Sequence, residues 1–207
     1  MGKIWRCVML AMAALSYGVF VLTAREGGRD NGCIVNTVMQ QTQEPKVISV
    51  TVSKENLTCD MIRNTGIFNV SILSEAAPFA IYRHFGFQSG RDVQKFAGGA
   101  QRAQNGIAYV SFGTCGYLSG SVIQSVDLGS HMLFLAKVTE ESRLSDDAPA
   151  TYRYYQDRVK PKPQKNESDG YICRVCGYIY EGRTIPDDFV CPICKHGRGD
   201  FEKIENS

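Results

Sequence analysis

Within Val47–Ser53, apolar and polar positions alternate without a break from Ile48 onward. Ile48, Val50 and Val52 fall on one side, and Ser49, Thr51 and Ser53 on the other. A period of two is that of a strand with one face in a core. Other segments repeat the theme less cleanly. Residues 16–24 are apolar and partly β-branched, ending in the turn-rich GGRDNG of 27–32. Residues 33–42 read as a second strand, stopped by Glu44-Pro45. Asn56 or Thr58 is placed to cap a short helix over 59–65 that Gly66 ends. A strand follows at 67–73, a helix at 78–86 and a polar loop at 89–96. Beyond the glycine-rich stretch 97–106, segments 107–113, 117–126 and 130–138 read as successive strands. Many short strands with scattered helices predict a mainly β chain folded as an antiparallel barrel. No internal repeat and no G-x-G-x-x-G occurs, which argues against a Rossmann nucleotide site.

The pattern stops at residues 157–168, DRVKPKPQKNES. This stretch is polar, carries Pro161 and Pro163, and has only Val159 to bury, so it reads as a semi-extended linker. It divides the chain into a large domain, 1–156, and a small one, 169–207. A chain of 207 residues with 43% hydrophobic content suits that division. The net charge of +2 is no footprint for nucleic acid. At the N-terminus, Lys3 and Arg6 precede the run VMLAMAALSYGVFVL, which looks like a signal peptide or short anchor. The run falls short of the ~20 residues needed to span a bilayer. It lacks a well-placed A-x-A site, and LSYGVFVLTA reads as a strand of the domain that follows. The expectation is a cytoplasmic protein with no membrane partner, whose start is Met1, Met9 or Met12. The sequons at Asn56, Asn69 and Asn166 are then chance matches.

The strongest chemistry lies in the small domain. Four of the eight cysteines form two C-x-x-C pairs, Cys173/Cys176 and Cys191/Cys194, with fourteen residues between them. Two such pairs present four thiolates to one ion in the tetrahedral geometry that suits zinc or iron. Gly177 after the second ligand lets the backbone aim N–H groups at a sulfur, which tunes the potential of an iron site. Tyr171, Tyr178, Tyr180, Phe189 and Phe201 supply an aromatic core for a segment too small to fold without a metal. The Y-x-C-x-x-C-G-Y opening, the D-F-x-C-P-x-C second knuckle and the closing D-F-E-K resemble rubredoxin in its short-loop form. That resemblance implies one iron held by Cys173, Cys176, Cys191 and Cys194, alternating between ferric and ferrous. Lys195 departs from it, standing where the second knuckle usually has glycine.

In the large domain, polar residues gather at the ends of predicted strands: Asn31, Thr37, Gln40 and Thr42, then Ser53, Lys54 and Thr58, then Ser89, Arg91 and Lys95. A hydroxyl and a cation at a helix start hold a phosphate well, because free N–H groups and the helix dipole favour an anion there. By composition alone, scattered residues of this kind are usually ordinary solvated strand ends. The ordered motifs SYGVFVLTA, NGCIVNTVMQQTQEP, SKENLTCDMI, FNVSILSE, HFGFQSGRDVQKF and DLGSHMLF resemble the flavin reductase-like FMN-binding split barrels. The resemblance implies a Greek-key split β-barrel that binds FMN near the interface of a homodimer. It implies Thr58 and Lys54 as phosphate contacts assisted by Lys95. Gln40, Thr42 and Ser53 would lie along the ribityl chain or ring, with Asn31 and Thr37 nearby. His131 resembles a histidine close to flavin and nicotinamide; the alternative is a structural histidine at a strand start. Cys7, Cys33, Cys59 and Cys115 read as reduced thiols.

Together the two resemblances imply an oxidoreductase that passes electrons from NAD(P)H through FMN to iron. The implied acceptor is a redox partner such as a flavodiiron protein. Two alternatives remain: a reductase that releases reduced FMN, and a zinc-ribbon interaction module on a flavin-binding barrel.

Overall fold

A computed structural model of the chain describes residues 15–160, 170–175, 178–191 and 196–204. Cys7, Cys176, Cys194, Lys195 and most of the expected linker lie outside the described residues. Seven strands build the main sheet: β1 (Phe20–Glu26), β2 (Arg29–Val35), β3 (Val38–Thr42), β4 (Val47–Ser53), β5 (Ile67–Leu73), β8 (Thr114–Asp127) and β9 (His131–Arg143). Between β5 and β8 lies a two-stranded ribbon, β6 (Gln101–Arg102) and β7 (Ala108–Tyr109). The order across the main sheet is β2-β1-β5-β8-β9-β4-β3, and its pairings are antiparallel. Hairpins interleaved with the distant pairings β1–β5 and β4–β9 give a Greek key. Phe20 of β1, Val38 of β3, Leu118 of β8 and Val138 of β9 line one cavity, so the sheet curls on itself as a barrel. The mainly β fold class expected from the sequence is the one observed.

Alternation decides which side chains enter the barrel. Ile48, Val50 and Val52 of β4 join Leu22, Phe68, Val70, Met132 and Phe134 in the interior cluster. The helix α1 (Leu57–Thr65) closes one end of the barrel with Cys59, Met61 and Ile62. On the outer side, Val19, Val21 and Leu73 pack against Tyr82 and Phe85 of a second helix, α2 (Phe79–Gly86).

The expected second strand, 33–42, is two strands joined by a turn at residues 36–37. The first of them begins at Arg29, inside the predicted turn. Only Gly27 and Gly28 turn the chain, both at positive φ (54° and 83°), the conformation that tight hairpin turns require. Of the expected strand 107–113, only Ala108–Tyr109 pairs, because Val110 N–H turns instead to Ser71 Oγ. Residues 155–159 form a π-helical turn with Val159 packed beside Tyr82 and Tyr155, so the first residues of the expected linker belong to the barrel.

The small domain is a three-stranded sheet of β10 (Tyr171–Cys173), β11 (Ile179–Tyr180) and β12 (Phe201–Lys203), ordered β11-β10-β12. Phe189 packs on Tyr180 and Phe201 with ring centroids 4.7 and 5.4 Å away, and Tyr178 packs on Phe201 at 6.5 Å. Four of the five rings the sequence offers for an aromatic core, Tyr178, Tyr180, Phe189 and Phe201, meet here.

Candidate functional site

The start of α1 is the most elaborately built polar site in the barrel. Thr58, in its first turn, is fully buried, and Asn31 Nδ2 donates to Thr58 Oγ1 at 2.9 Å. The Asn31 Oδ1 atom and the neighbouring Arg29 Nε are both buried with no hydrogen-bond partner among the described residues. Gly90 lies directly over Asn31: a Cβ there would sit 2.1 Å from Asn31 Oδ1, so only glycine permits this approach. Arg29 Nη2 donates to the Gly90 carbonyl, and Arg91 pairs with Asp60 of α1 at 2.7 Å. Ser89 Oγ accepts from Arg91 N–H at 3.1 Å.

Lys95 reaches this cluster from behind. It is 6% exposed, and its Nζ donates to the Gly32 carbonyl at 2.7 Å and the Phe85 carbonyl at 3.0 Å. Burial lowers its pKa to about 8, opposed by the nearby Cys33. Burial in turn pushes the Cys33 thiol up to about 11, against the pull of Thr58 and Lys95. Lys95 is thus an internal cation braced on carbonyls rather than a side chain reaching outward.

Ser53, Lys54 and His131 meet at the adjoining end of β4 and β9. Ser53 pairs in register with His131, and Lys54 N–H donates to the Ser130 carbonyl at 3.0 Å. Lys54 Nζ contacts both carboxylate oxygens of Asp127, at 2.6 and 2.7 Å. That hydrogen bond, with one from Gly129 N–H, holds the Asp127 carboxyl below its usual range. His131 is exposed, with Nδ1 2.9 Å from Ser130 Oγ. Thr37 Oγ1 donates to the Thr51 carbonyl at 2.8 Å, near the same end.

Gln40 and Thr42 stand elsewhere. Because β3 runs antiparallel to β4, Gln40 pairs with Ile48 and Thr42 with Val47. At a rise of ~3.3 Å per residue, Gln40 is about 17 Å from the Ser53 end. Both line the cavity of about 330 Å³ at the other mouth of the barrel. One chain therefore unites Asn31, Thr37, Ser53, Lys54, Thr58 and His131 around the α1 end of the barrel, with Lys95 behind them, and leaves Gln40 and Thr42 apart. Sequence reasoning missed Arg29 and Asp127; Arg29 was hidden in a stretch that reads as a turn.

In the small domain, Cys173 and Cys191 are buried and share one cluster. Cys173 N–H donates to the Tyr178 carbonyl and Cys191 N–H to the His196 carbonyl, both at 2.8 Å. In each case the first cysteine of a C-x-x-C pair bonds to the residue five further on, so the same backbone bond recurs at both pairs. Two buried cysteines with equivalent backbone bonds fit a soft, thiolate-bound metal. Around α1, an unpartnered buried amide oxygen and guanidinium nitrogen, a hydroxyl and a backbone approach permitted by Gly90 fit a polar cofactor.

A model of the flavin reductase like domain matches residues 12–162. A model of the rubrerythrin, rubredoxin-like domain matches residues 171–202. The chain belongs to the flavin reductase-like family and carries a rubredoxin-like domain at its C-terminal end. It is 33% identical to the high molecular weight rubredoxin of Moorella thermoacetica, over 94% of this chain and 98% of that one. It is 31% identical to a ferric-chelate reductase (NAD(P)H) of Archaeoglobus fulgidus, over 73% of this chain and 90% of that one. Among solved structures, the Pseudomonas putida S12 styrene monooxygenase flavin reductase shares the fold, with a TM-score of 0.62 at 21% identity over 76% of this chain and 99% of that one. Among the described residues, no helix is long and apolar enough to cross a membrane.

Proposed function

We propose that the protein is a cytoplasmic electron-transfer oxidoreductase that takes electrons from NAD(P)H into bound FMN. From there they pass singly to an iron held by Cys173, Cys176, Cys191 and Cys194, and on to a partner such as a flavodiiron protein. A flavin accepts an electron pair as hydride and gives it up one electron at a time, whereas a four-thiolate iron accepts only one. The observation that carries the reading is the joining of a flavin reductase-like barrel and a two-knuckle thiolate site in one chain.

The residues divide the work. Thr58, the backbone N–H groups at the start of α1, and Lys54 hold the phosphate, where the helix dipole adds to their charge. Lys95 contributes a positive potential from behind, since its Nζ is occupied by two carbonyls. Asn31 orients Thr58 through the bond to its hydroxyl. Ser53 and Thr37 border the rest of the cofactor. His131, exposed at the mouth, is placed to donate a hydrogen bond to an incoming nicotinamide.

The working unit is a homodimer. Met39, Ile123, Val126 and Leu128 are exposed on β3, β8 and the β8–β9 turn, and Leu133 and Leu135 lie between them on the same outer face. Such an apolar face fits a second copy. The distance of Gln40 and Thr42 from Ser53 also favours a cofactor site completed across two copies.

Purification from the native host, followed by a visible spectrum and metal analysis, tests the assignment. Flavin and ferric-tetrathiolate bands in the same protein are expected; a colourless protein with one zinc per chain contradicts it.

A further inference from the structure

The two cysteines described in the small domain have an unexpected neighbour. Val175, Tyr178 and Phe201, which pack on Cys173 and Cys191, come from the small domain itself, but Phe87 comes from the barrel. Phe87 caps the C-terminus of α2, where its N–H donates to the Arg83 carbonyl at 3.1 Å. Its ring is backed by Phe79 at 5.9 Å. A second contact crosses the same seam: Lys160 Nζ donates to the Arg174 carbonyl at 2.8 Å. Around these contacts, Tyr82, Tyr152, Tyr155, Phe87 and Val175 line a cavity of about 370 Å³.

We propose that the α2 end of the barrel is a built-in dock for the small domain, and that Phe87 forms part of the apolar shell around its thiolates. Three features argue for this. Phe87 is fixed at a helix end and against a second ring, so it meets the small domain without losing much side-chain freedom. The seam is aromatic on the barrel side, with a charge-assisted hydrogen bond at its rim, the anatomy of a specific interface rather than a tether. Finally, Phe87 begins the segment that leads to Gly90, which packs on Asn31. Three residues span at most ~10 Å, so the dock brings the thiolates to the flank of the site around α1.

The apolar shell of a metal site controls its access to water and hence its potential. Once reduced, a four-thiolate iron carries one more negative charge than when oxidised. Water favours the larger charge, so opening the shell moves the midpoint upward.

Two measurements on the full chain test the proposal. The first does not depend on which metal is bound. Val175→Asp, on the small-domain side, introduces a carboxylate into the seam. It is expected to raise amide hydrogen exchange in barrel residues 86–90 several-fold, with α1 unchanged. Unchanged exchange at 86–90 overturns the dock. The second rests on the functional reading above, because it requires iron. Direct electrochemistry of Phe87→Ala is expected to give a midpoint more positive than that of the parent, with Phe87→Leu restoring most of the difference. A Phe87→Ala midpoint equal to that of the parent overturns the shell role. A chain that accepts only zinc contradicts the proposed function and leaves the exchange experiment to decide the dock.

Discussion

Asp30→Asn is the most informative single substitution in the barrel, because it changes one charge and almost no volume. The carboxylate is 5% exposed and accepts four hydrogen bonds. Oδ1 takes Arg102 Nη1 at 3.0 Å and Ala108 N–H at 3.1 Å; Oδ2 takes Arg25 at 2.6 Å and Arg102 Nη2 at 2.8 Å. Burial alone would raise the Asp30 pKa, but the bonds from Arg102 and Ala108 and the charges of Arg102 and Arg25 outweigh it and lower it. Removing one partner of a fully buried ion pair costs ~3–5 kcal/mol. Here both guanidinium groups are about a third or more exposed (34% and 41%), and water screens them. We therefore expect ~2–3 kcal/mol from the combination of screened charge loss and an amide N–H₂ turned toward other donors. For a domain of this size that lowers Tm by about 4–12 °C. A carboxyl with a lowered folded pKa contributes its stability fully above the unfolded value of ~3.9 and loses it as pH falls through the folded value. The gap between parent and variant should thus be flat from pH 6 to 8 and close in acid. Thermal unfolding at pH 7 and in steps downward from pH 4, through the lowered Asp30 value, measures both. A Tm change within about 1 °C at pH 7, or a gap that persists in acid, refutes the reasoning.

Thr58→Val removes the acceptor for Asn31 Nδ2 and leaves a buried donor unpaired, at ~1–3 kcal/mol. FMN titration should show affinity reduced ~10–100-fold, and an unchanged Kd would remove Thr58 from the site. Cys191→Ser should release the metal and unfold the small domain, while the barrel stays folded and unfolds separately at a Tm lowered only by the lost docking contacts. Limited proteolysis distinguishes that outcome from joint unfolding. For Lys95, lowered by burial to about 8, the unfolded chain binds the extra proton between pH 8 and its ordinary ~10.4. Stability relative to Lys95→Met should therefore rise as pH goes from 8 to 10 in urea unfolding, and a constant difference would contradict the burial argument.

What was legible in the sequence was local. The alternation at 48–53 identifies β4 and its inner face, and Gly66 marks the end of α1, because strand period and helix stop signals need no distant partner. The spacing of Cys173 and Cys191, with the rings around them, gives the small domain's core for the same reason. The failures are long-range. Asp30 and Asn31 look like turn residues, yet Arg102 and Thr58 allow them to lie buried in a strand. The polar stretch Glu140–Arg143 extends β9 because it pairs with Gly116–Ser119 of β8, which no propensity anticipates. The separation of Gln40 and Thr42 from Ser53 is equally invisible in sequence, because it follows from the direction of the β3–β4 hairpin. Phe87 is an unremarkable helix-end residue in sequence, and its position beside Cys173 and Cys191 comes only from folding.

The proposed electron transfer requires that paired electrons become single ones within one chain. Anaerobic stopped-flow mixing of the FMN- and iron-loaded protein with NAD(P)H tests it most directly. Bleaching of the flavin band followed by loss of the ferric-tetrathiolate band in the same protein is the predicted result. Flavin bleaching while the ferric band persists would contradict it.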